Sequence, residues 1–498
     1  MRQIAFLVVI LFSACPTPAQ QPPDALLSMQ SALTNAIDRA GRSVVAIARV
    51  RKDLPADAMG DLKFNLPGLG RPLIDPSNPA FVPTEFASGV IVSADGDVLT
   101  NFHVLDDPKQ NDYYVWHRGI GSQAVVQATP AEVLAGDPWT DLAILRIENA
   151  KDLPAIKMGD ASQIQRGMFV ISLGNPYAIA RDGYPSASMG IVSNLQRAAA
   201  PRPDKESRGQ APPSQQLHEF GTLIQTDAKL NLGTSGGALV NLQGEMIGLT
   251  TSLAAVAGYE QSAGFAIPID KSMRAAIDKL REGKTPAFGF LGLEPADLPE
   301  PQRARGLRGA IVRQVLQGMP AQRAGLRSGD LITKIDGQPI DGAAGLFREM
   351  SRRPANAHVQ MTLLQGNPLT DDFQSKIVDV TLGKKYLALT KPGYSRFPEP
   401  SWRGLRVDHG TALPPGQLFG FSRPREILPV AVISVDPGTP AWNAGLRPGQ
   451  FVQKVGDKSV PDPDTFYELV KEQTDAVALT IVGPGDREQR ISVPTSIQ

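Results

Sequence analysis

The segment Met319-Pro-Ala-Gln-Arg-Ala-Gly-Leu-Arg-Ser-Gly returns later as Thr439-Pro-Ala-Trp-Asn-Ala-Gly-Leu-Arg-Pro-Gly. The register is constant over Pro320/Pro440, Gly325/Gly445, Leu326/Leu446, Arg327/Arg447 and Lys334/Lys454. An apolar strand precedes each copy, Gly309-Ala310-Ile311-Val312 and then Val430-Ala431-Val432-Ile433, and another follows it, Leu331-Ile332 and then Phe451-Val452. A helix-like stretch comes next in both. Two copies of small-domain size cannot build a stacked solenoid, whose repeats need several neighbours to bury their faces. The C-terminal half therefore reads as two α+β modules, 287–390 and 402–496, with the Pro-rich stretch Lys391 to Ser401 as linker. In a chain of 498 residues this leaves room for one larger domain ahead of them, at roughly 100–200 residues per domain.

That larger domain, 25–283, reads as mainly β. Leu26, Leu27, Met29, Leu33 and Ile37 follow helical spacing, and Ser43 to Val50 is β-branched and strand-like. From Ala87 to about Leu249 short apolar runs alternate with turn signals: Gly89–Ser93, Val98–Thr100, Leu142–Ile147, Met168–Ser172 and Met246–Thr250. This is the pattern of a sandwich or barrel, and Asp95-Gly96 marks a hairpin inside it. Residues 52–83 and 198–216 are rich in Pro, Gly and polar residues and read as long loops. A helix over 269–283, with Met273, Ala276, Ile277 and Leu280 on one face, closes the domain.

The first residues read as an export signal, 1–19: a basic Met1-Arg2-Gln3, then an apolar run Ile4 to Phe12 too short to span a bilayer, then Pro16 and Pro18. Two processing routes fit. Thr17-Pro18-Ala19 suits cleavage near Ala19, and Leu11-Phe12-Ser13-Ala14-Cys15 resembles a bacterial lipobox that would anchor the chain through Cys15. With Cys15 the only cysteine, no intrachain disulfide forms, and packing must hold the fold. The lone cysteine and scattered histidines exclude the usual zinc spacings, so neither metal nor cofactor is expected. The 50 basic and 50 acidic residues cancel, which leaves no net field to recruit nucleic acid.

Three segments carry chemistry. One is Leu99-Thr100-Asn101-Phe102-His103-Val104-Leu105. The second is Asp137-Pro138-Trp139-Thr140-Asp141-Leu142-Ala143. The third runs from Thr226 through Gly233-Thr234-Ser235-Gly236-Gly237 to Asn241. A serine between glycines suggests a tight turn that exposes one hydroxyl. Gly233 tolerates unusual dihedrals, and the amides of Gly233, Thr234 and Ser235 would converge on one anionic oxygen. Taken alone, the segment equally fits a Gly-rich hairpin.

A serine hydroxyl needs a base, and a histidine base needs a carboxylate to hold its tautomer. Of five histidines, His117, His218, His358 and His409 lie in polar or loop-like contexts, and His103 lies between apolar stretches. Asp141 opens the strand Leu142–Ile147, at a barrel rim or partly buried. Asp137 sits in a Gly-Asp-Pro turn that it caps, and Asp106 and Asp107 are too close to His103. The order His103, Asp141, Ser235 is the chymotrypsin order.

Together these segments resemble the trypsin-like proteases of the HtrA (Do) family. That family reads Thr-Asn-x-His-Val, then Asp-x-x-x-Asp-(apolar)-Ala, then Gln-Thr-Asp-Ala-x-x-Asn-x-Gly-Asn-Ser-Gly-Gly-Ala-Leu. Here Gln225-Thr226-Asp227-Ala228 and Asn231 stand in register, with Leu173-Gly174-Asn175-Pro176, Gly190-Ile191-Val192-Ser193 and Gly264-Phe265-Ala266-Ile267-Pro268 in the same order. The resemblance covers roughly 30–498.

It implies a two-barrel chymotrypsin-like protease domain followed by two PDZ domains, and a serine endopeptidase with His103, Asp141 and Ser235 as triad and Gly233 and Thr234 in the oxyanion hole. It further implies substrates that are unfolded or damaged proteins, peptide C-termini bound at Phe290-Leu291-Gly292-Leu293, a role in stress-response quality control in the periplasm or cell envelope, and assembly as a homotrimer or larger. A chaperone or PDZ peptide-binding scaffold without cleavage remains the alternative. Thr234 stands where the family has Asn. Gln450 replaces the aspartate seen at Asp330, and the equivalent second loop is Trp402-Arg403-Gly404-Leu405. Both that loop and a plain strand start fit those four residues.

Overall fold

The computed structural model describes residues 24–52, 85–118, 126–175, 183–198, 216–230, 233–251, 263–367, 372–387, 392–397, 400–414, 427–483 and 487–495. The export signal with Cys15, nearly all of the two long loops, and Asn231 lie outside them.

The chain opens with helix α1 (Asp24–Gly41) and six strands: β1 (Val44–Arg51), β2 (Glu85–Ile91), β3 (Asp97–Asn101), β4 (Asn111–Arg118), β5 (Val126–Asp137) and β6 (Leu142–Ile147), with the short helix α2 (Phe102–Leu105) after β3. They run β5-β4-β1-β2-β3-β6, and β6 pairs back onto β5, closing a barrel. A second closed barrel, in the order β10-β11-β12-β9-β8-β7, is formed by β7 (Phe169–Gly174), β8 (Ser186–Arg197), β9 (Leu223–Thr226), β10 (Ala238–Val240), β11 (Met246–Thr251) and β12 (Gly264–Pro268). Closure pairs the edge strands of each sheet with one another.

Val45, Ile47, Ile91, Val98, Leu145 and Ile147 fill the first barrel, and Val170, Val192, Ile224, Leu239, Ile247 and Ala266 fill the second. Between them Leu99, Leu142 and Ile144 meet Ile171, Leu173 and Leu249 in one continuous core. The functional segments end on this seam. Helix α3 (Lys271–Arg281) closes the domain and buries Met273, Ala276, Ile277 and Leu280, the face its spacing predicts. The Asp95-Gly96 hairpin is present, with Gly96 at φ +89° between β2 and β3.

The first module contains β13 (Gly289–Phe290), β14 (Leu293–Asp297), α4 (Glu300–Ala304), β15 (Ala310–Val315), α5 (Pro320–Arg323), β16 (Leu331–Ile335), β17 (Gln338–Pro339), α6 (Ala343–Ser351), β18 (His358–Asn367), β19 (Asp372–Thr381) and β20 (Gly383–Lys384). Its main sheet runs β14-β15-β16-β18-β19, so β14 is an edge strand, and α6 packs beside it.

The linker is more than a spacer: its Tyr394–Ser395 forms β21 and adds to β5 of the first barrel. The second module repeats the plan with β22 (Leu405–His409), β23 (Val430–Val435), α7 (Pro440–Asn443), β24 (Phe451–Val455), β25 (Lys458–Ser459), α8 (Pro463–Lys471), β26 (Val477–Val482) and β27 (Glu488–Val493). The Asp330/Gln450 difference is absorbed locally. Asp330 accepts from the amide of Arg327 at 2.9 Å, and Gln450 Oε1 accepts from that of Arg447 at 2.8 Å.

Candidate active site

Strand β3 delivers His103 on the single turn of α2, and the β5–β6 turn delivers Asp141. The backbone joins them first: Phe102 N donates to Asp141 O at 3.0 Å, and His103 N to Asp141 Oδ1 at 3.0 Å. The imidazole Nδ1 then lies 2.8 Å from Oδ2. A carboxylate only accepts, so Nδ1 carries the proton and Nε2 is left as the basic nitrogen. Asp141 is 1% exposed rather than at an open rim. Burial alone would raise its pKa, but the charge and hydrogen bonds of His103 outweigh it and hold the carboxyl below its ordinary value. Asp141 sits at φ +56°, a left-handed conformation that few non-glycine residues adopt without support.

Asp137 does other work. Its carboxylate accepts from Trp139 N at 3.3 Å, Thr140 N at 3.1 Å and Thr140 Oγ1 at 2.7 Å, so it caps the turn. Burial, only partly offset by these bonds, pushes its pKa up to about 6.

Ser235 lies half-buried in the turn Gly233–Gly237. Gly233 is at φ +91° and Gly236 at φ +83°, and a Cβ on Gly236 would lie 2.2 Å from the carbonyl oxygen of Ser88, so glycine is required there. Three successive carbonyls turn into the protein. That of Gly233 accepts from Ser88 Oγ at 2.8 Å. That of Thr234 accepts from Gly237 N at 2.9 Å and Thr250 Oγ1 at 2.6 Å. That of Ser235 accepts from Ser88 N at 2.9 Å. In a trans peptide the N–H points opposite to its carbonyl. Gly236 obeys this, donating to Thr250 O at 2.9 Å. The N–H groups of Thr234 and Ser235 accordingly face away from the carbonyl partners, the orientation an anion-binding turn needs. The side chain of Thr234 packs over Gly174, whose Cβ would meet it at 3.0 Å.

In the first PDZ-like module the carbonyls of Leu291 and Gly292 likewise point inward, accepting from Ala321 N at 2.8 Å and Leu316 N at 2.9 Å. The second module copies this frame: Arg403 O accepts from Ala441 N at 3.2 Å and Gly404 O from Asp436 N at 2.9 Å. It adds a closed turn, with Trp402 N donating to Leu405 O at 2.9 Å and Leu405 N to Trp402 O at 2.8 Å.

Four contributors were not visible as such in the sequence. Ser88 holds the nucleophile turn, and Thr251 Oγ1 reaches Asp141 Oδ2 at 3.4 Å. His218, read as loop-like, is fully buried and hydrogen-bonded to Thr140 O. The first module packs on the Asp137–Asp141 turn: Trp139 Nε1 donates to Ser351 O at 3.3 Å, Lys385 Nζ lies 3.8 Å from the Trp139 ring centroid, and Arg352 pairs with Asp270. Phe220 stacks on Phe347 of α6, with ring centroids 5.4 Å apart. Only Thr251 had a local signal, a polar residue ending the mostly apolar strand Met246–Thr251. Among the described residues no cluster of His, Cys, Asp and Glu is arranged to hold a metal, and no helix is long and apolar enough to cross a membrane.

A trypsin-like peptidase domain model matches residues 87–249, and a PDZ domain model matches twice, at 311–364 and 432–482. The probable periplasmic serine endoprotease DegP-like of Chlamydia trachomatis is 30% identical over 405 residues, covering 80% of this chain and 72% of that protein. The periplasmic serine endoprotease DegP of Escherichia coli K12 is 29% identical over 403 residues, covering 79% of this chain and 73% of that protein. The solved structure "HtrA-type protease AlgW with tripeptide" is 27% identical, covers 71% of this chain and 97% of that one, and superposes with a TM-score of 0.48.

Proposed function

The chain belongs to the DegP-like (HtrA-type) family of trypsin-fold serine endoproteases with PDZ domains, and from that premise we propose that Ser235 is its nucleophile, His103 the general base and Asp141 the carboxylate that orients the base. The observation that carries the reading is the 2.8 Å pairing of His103 Nδ1 with the buried Asp141, which leaves Nε2 to take a hydroxyl proton. Ser235 attacks the scissile carbonyl while His103 removes its proton. The outward amides of the Gly233–Ser235 turn hold the developing oxyanion, and His103 then protonates the leaving amine. Water repeats the sequence on the acyl-enzyme. The steps use only groups of this chain.

The substrates in this reading are unfolded or damaged proteins of the periplasm or cell envelope. The periplasmic names of the relatives and the export-like first residues support that location. Peptide C-termini bind the first module along edge strand β14, their carboxylate on the loop Phe290-Leu291-Gly292-Leu293. Because that module packs on the turn that carries Asp141, occupancy there regulates cleavage, and the polar stretch 198–216 takes part. The assembly is a homotrimer or larger. Casein digestion with and without Ser235→Ala tests the core of the reading. The variant should lose several orders of magnitude in rate and keep its fold. Comparable cleavage by both proteins would end it in favour of a chaperone or peptide-binding scaffold.

A further inference from the structure

Ser88 lies in β2, is 0% exposed, and belongs to none of the three motif segments. All its polar atoms are committed to the nucleophile turn or to what supports it. Its N–H donates to Ser235 O at 2.9 Å. Its Oγ accepts from Asn175 N at 2.7 Å, which leaves the hydroxyl proton for the carbonyl of Gly233 at 2.8 Å. Its own carbonyl accepts from Thr100 Oγ1 at 2.8 Å, three residues before His103.

We propose that Ser88 is a positioning residue for the oxyanion-binding turn: its hydroxyl locks the Gly233–Thr234 peptide with the carbonyl turned inward and the N–H turned outward. This rests on the reading of Ser235 as nucleophile. The peptide needs a lock because Gly233 is at φ +91°, where a glycine rotates at little steric cost. Rotation of the unit would aim a carbonyl, not an amide, at the developing oxyanion. The lock stands on firm ground. Ser88 is fixed in the β1–β2 ladder opposite Ala46, and Gly236 is pressed against its carbonyl so closely that no Cβ fits. Through Asn175 the same hydroxyl also fastens the chain after β7, where Gly174 supports the side chain of Thr234. One hydroxyl thus ties together both segments that shape the turn.

The effect is confined to the transition state. The hydroxyl points at backbone and touches no substrate, so ground-state affinity is untouched, and the loss appears wherever a tetrahedral anion must be held. The test uses the full chain as wild type, Ser88→Ala and Ser235→Ala. A fluorogenic peptide and a peptide boronic acid are both built on a cleavage site mapped in a casein digest. Ser88→Ala keeps the backbone N–H that reaches Ser235 and removes only the hydroxyl.

The expected result is a kcat lowered about tenfold or more, since removal of a whole oxyanion donor costs about 10²–10³, with KM unchanged. The boronic acid Ki should rise in the same proportion, and the melting temperature should fall by only a few degrees, the cost of leaving the Gly233 carbonyl and the Asn175 amide without the hydroxyl. A variant within about twofold of wild type in both kcat and Ki overturns the proposal. So does a kcat loss without a matching Ki rise, which would indicate general loosening. If Ser235→Ala itself cleaves casein, the nucleophile assignment falls instead.

Discussion

Nε2 of His218 donates a 2.8 Å hydrogen bond to the carbonyl oxygen of Thr140. The acceptor is a carbonyl, so Nε2 carries the proton, and Nδ1 accepts from Thr222 Oγ1 at 2.7 Å. Burial lowers the pKa of this imidazole, which keeps it neutral. The Thr140 carbonyl belongs to the peptide unit whose orientation sets φ of Asp141, the residue held at +56°. His218 therefore supports from one side, and Asp137 from the other, a backbone conformation that would otherwise relax.

Two substitutions separate the two nitrogens. Gln places its amide N–H where Nε2 stands and keeps the bond to Thr140. Asn reaches only the Thr222 side and leaves the buried carbonyl without its donor, a loss of about 1–3 kcal/mol. His218→Gln should keep most of the turnover, and His218→Asn should lose about tenfold in kcat with little change in KM. Equal activities in a peptide assay would show that the bond does not position Asp141.

Asp141 and Asp137 both lie buried in one turn and should respond very differently to the same change. Asp141→Asn deprives His103 Nδ1–H of its charged partner and favours the wrong tautomer, which costs about 10⁴-fold in turnover. Asp137→Asn keeps one acceptor for the Trp139–Thr140 amides and removes no group from the His103 pair, so its kinetic cost should be far smaller. The reverse ranking of kcat values would mean that the two roles are exchanged.

Asp137 instead governs a pH dependence of stability. Its pKa in the folded protein is raised to about 6 from an ordinary 3.8, so the native state binds the proton more tightly than the unfolded chain does. The stabilisation linked to that proton is complete below the unfolded value and is lost as pH rises through about 6. Relative to Asp137→Asn, which does not titrate, the wild type should gain stability on going from pH 7.5 to pH 5. The gain between these two pH values is about 1.4 kcal/mol, because pH 5 lies about one unit below the folded pKa. Denaturant midpoints measured at the two pH values give the difference. A constant offset between the proteins would show that the carboxyl is not perturbed.

Much of this architecture could be read from local patterns, and the exceptions share a cause. The buried face of helix α3 was legible because Met273, Ala276, Ile277 and Leu280 repeat at the helical period, which depends only on near neighbours, although the helix is two residues shorter at each end than its pattern. Strand β6 and the Asp95-Gly96 hairpin follow from β-branched runs and a turn dipeptide in the same way. The pairing of His103 with Asp141 was legible through chemistry, since a serine read as a nucleophile demands a base and a carboxylate to orient it. Ser88 was not, because a serine within a strand carries no mark of what faces it across 145 residues of chain. His218 stood in a polar stretch with no period. Its burial comes from Thr140 and Thr222 on one side, and the first module covers the neighbouring turn through Ser351 and Lys385. Tyr394–Ser395 looked like a linker because a two-residue strand is too short to show alternation. Contacts made largely between distant segments decide these sites, and a local pattern does not display them.

The two PDZ modules share a loop frame and should still differ in function. In both, two loop carbonyls are turned inward by an amide of the following helix and an amide at the end of the next strand, Ala321 and Leu316 in the first, Ala441 and Asp436 in the second. That leaves the loop amides to receive a carboxylate. In the second module Leu405 N, the counterpart of Leu293 N, is spent on Trp402 O at 2.8 Å, and Trp402 N is spent on Leu405 O. Arg403 reinforces the closed turn, donating to the carbonyls of Val493 at 2.6 Å and Asp475 at 2.7 Å. A peptide carboxylate would have to break the Trp402–Leu405 pair, giving up roughly the 0.5–1.5 kcal/mol net of each hydrogen bond before gaining any. A peptide with an apolar C-terminus, titrated into full-length Ser235→Ala by calorimetry, should therefore bind with one site per chain. Gly292→Val should abolish it, because a Cβ there meets Met319 at 2.1 Å. Leu405→Ala, which keeps the backbone, should leave it unchanged. Two equivalent sites per chain, or one site that survives Gly292→Val, would show that the second module takes the peptide after all.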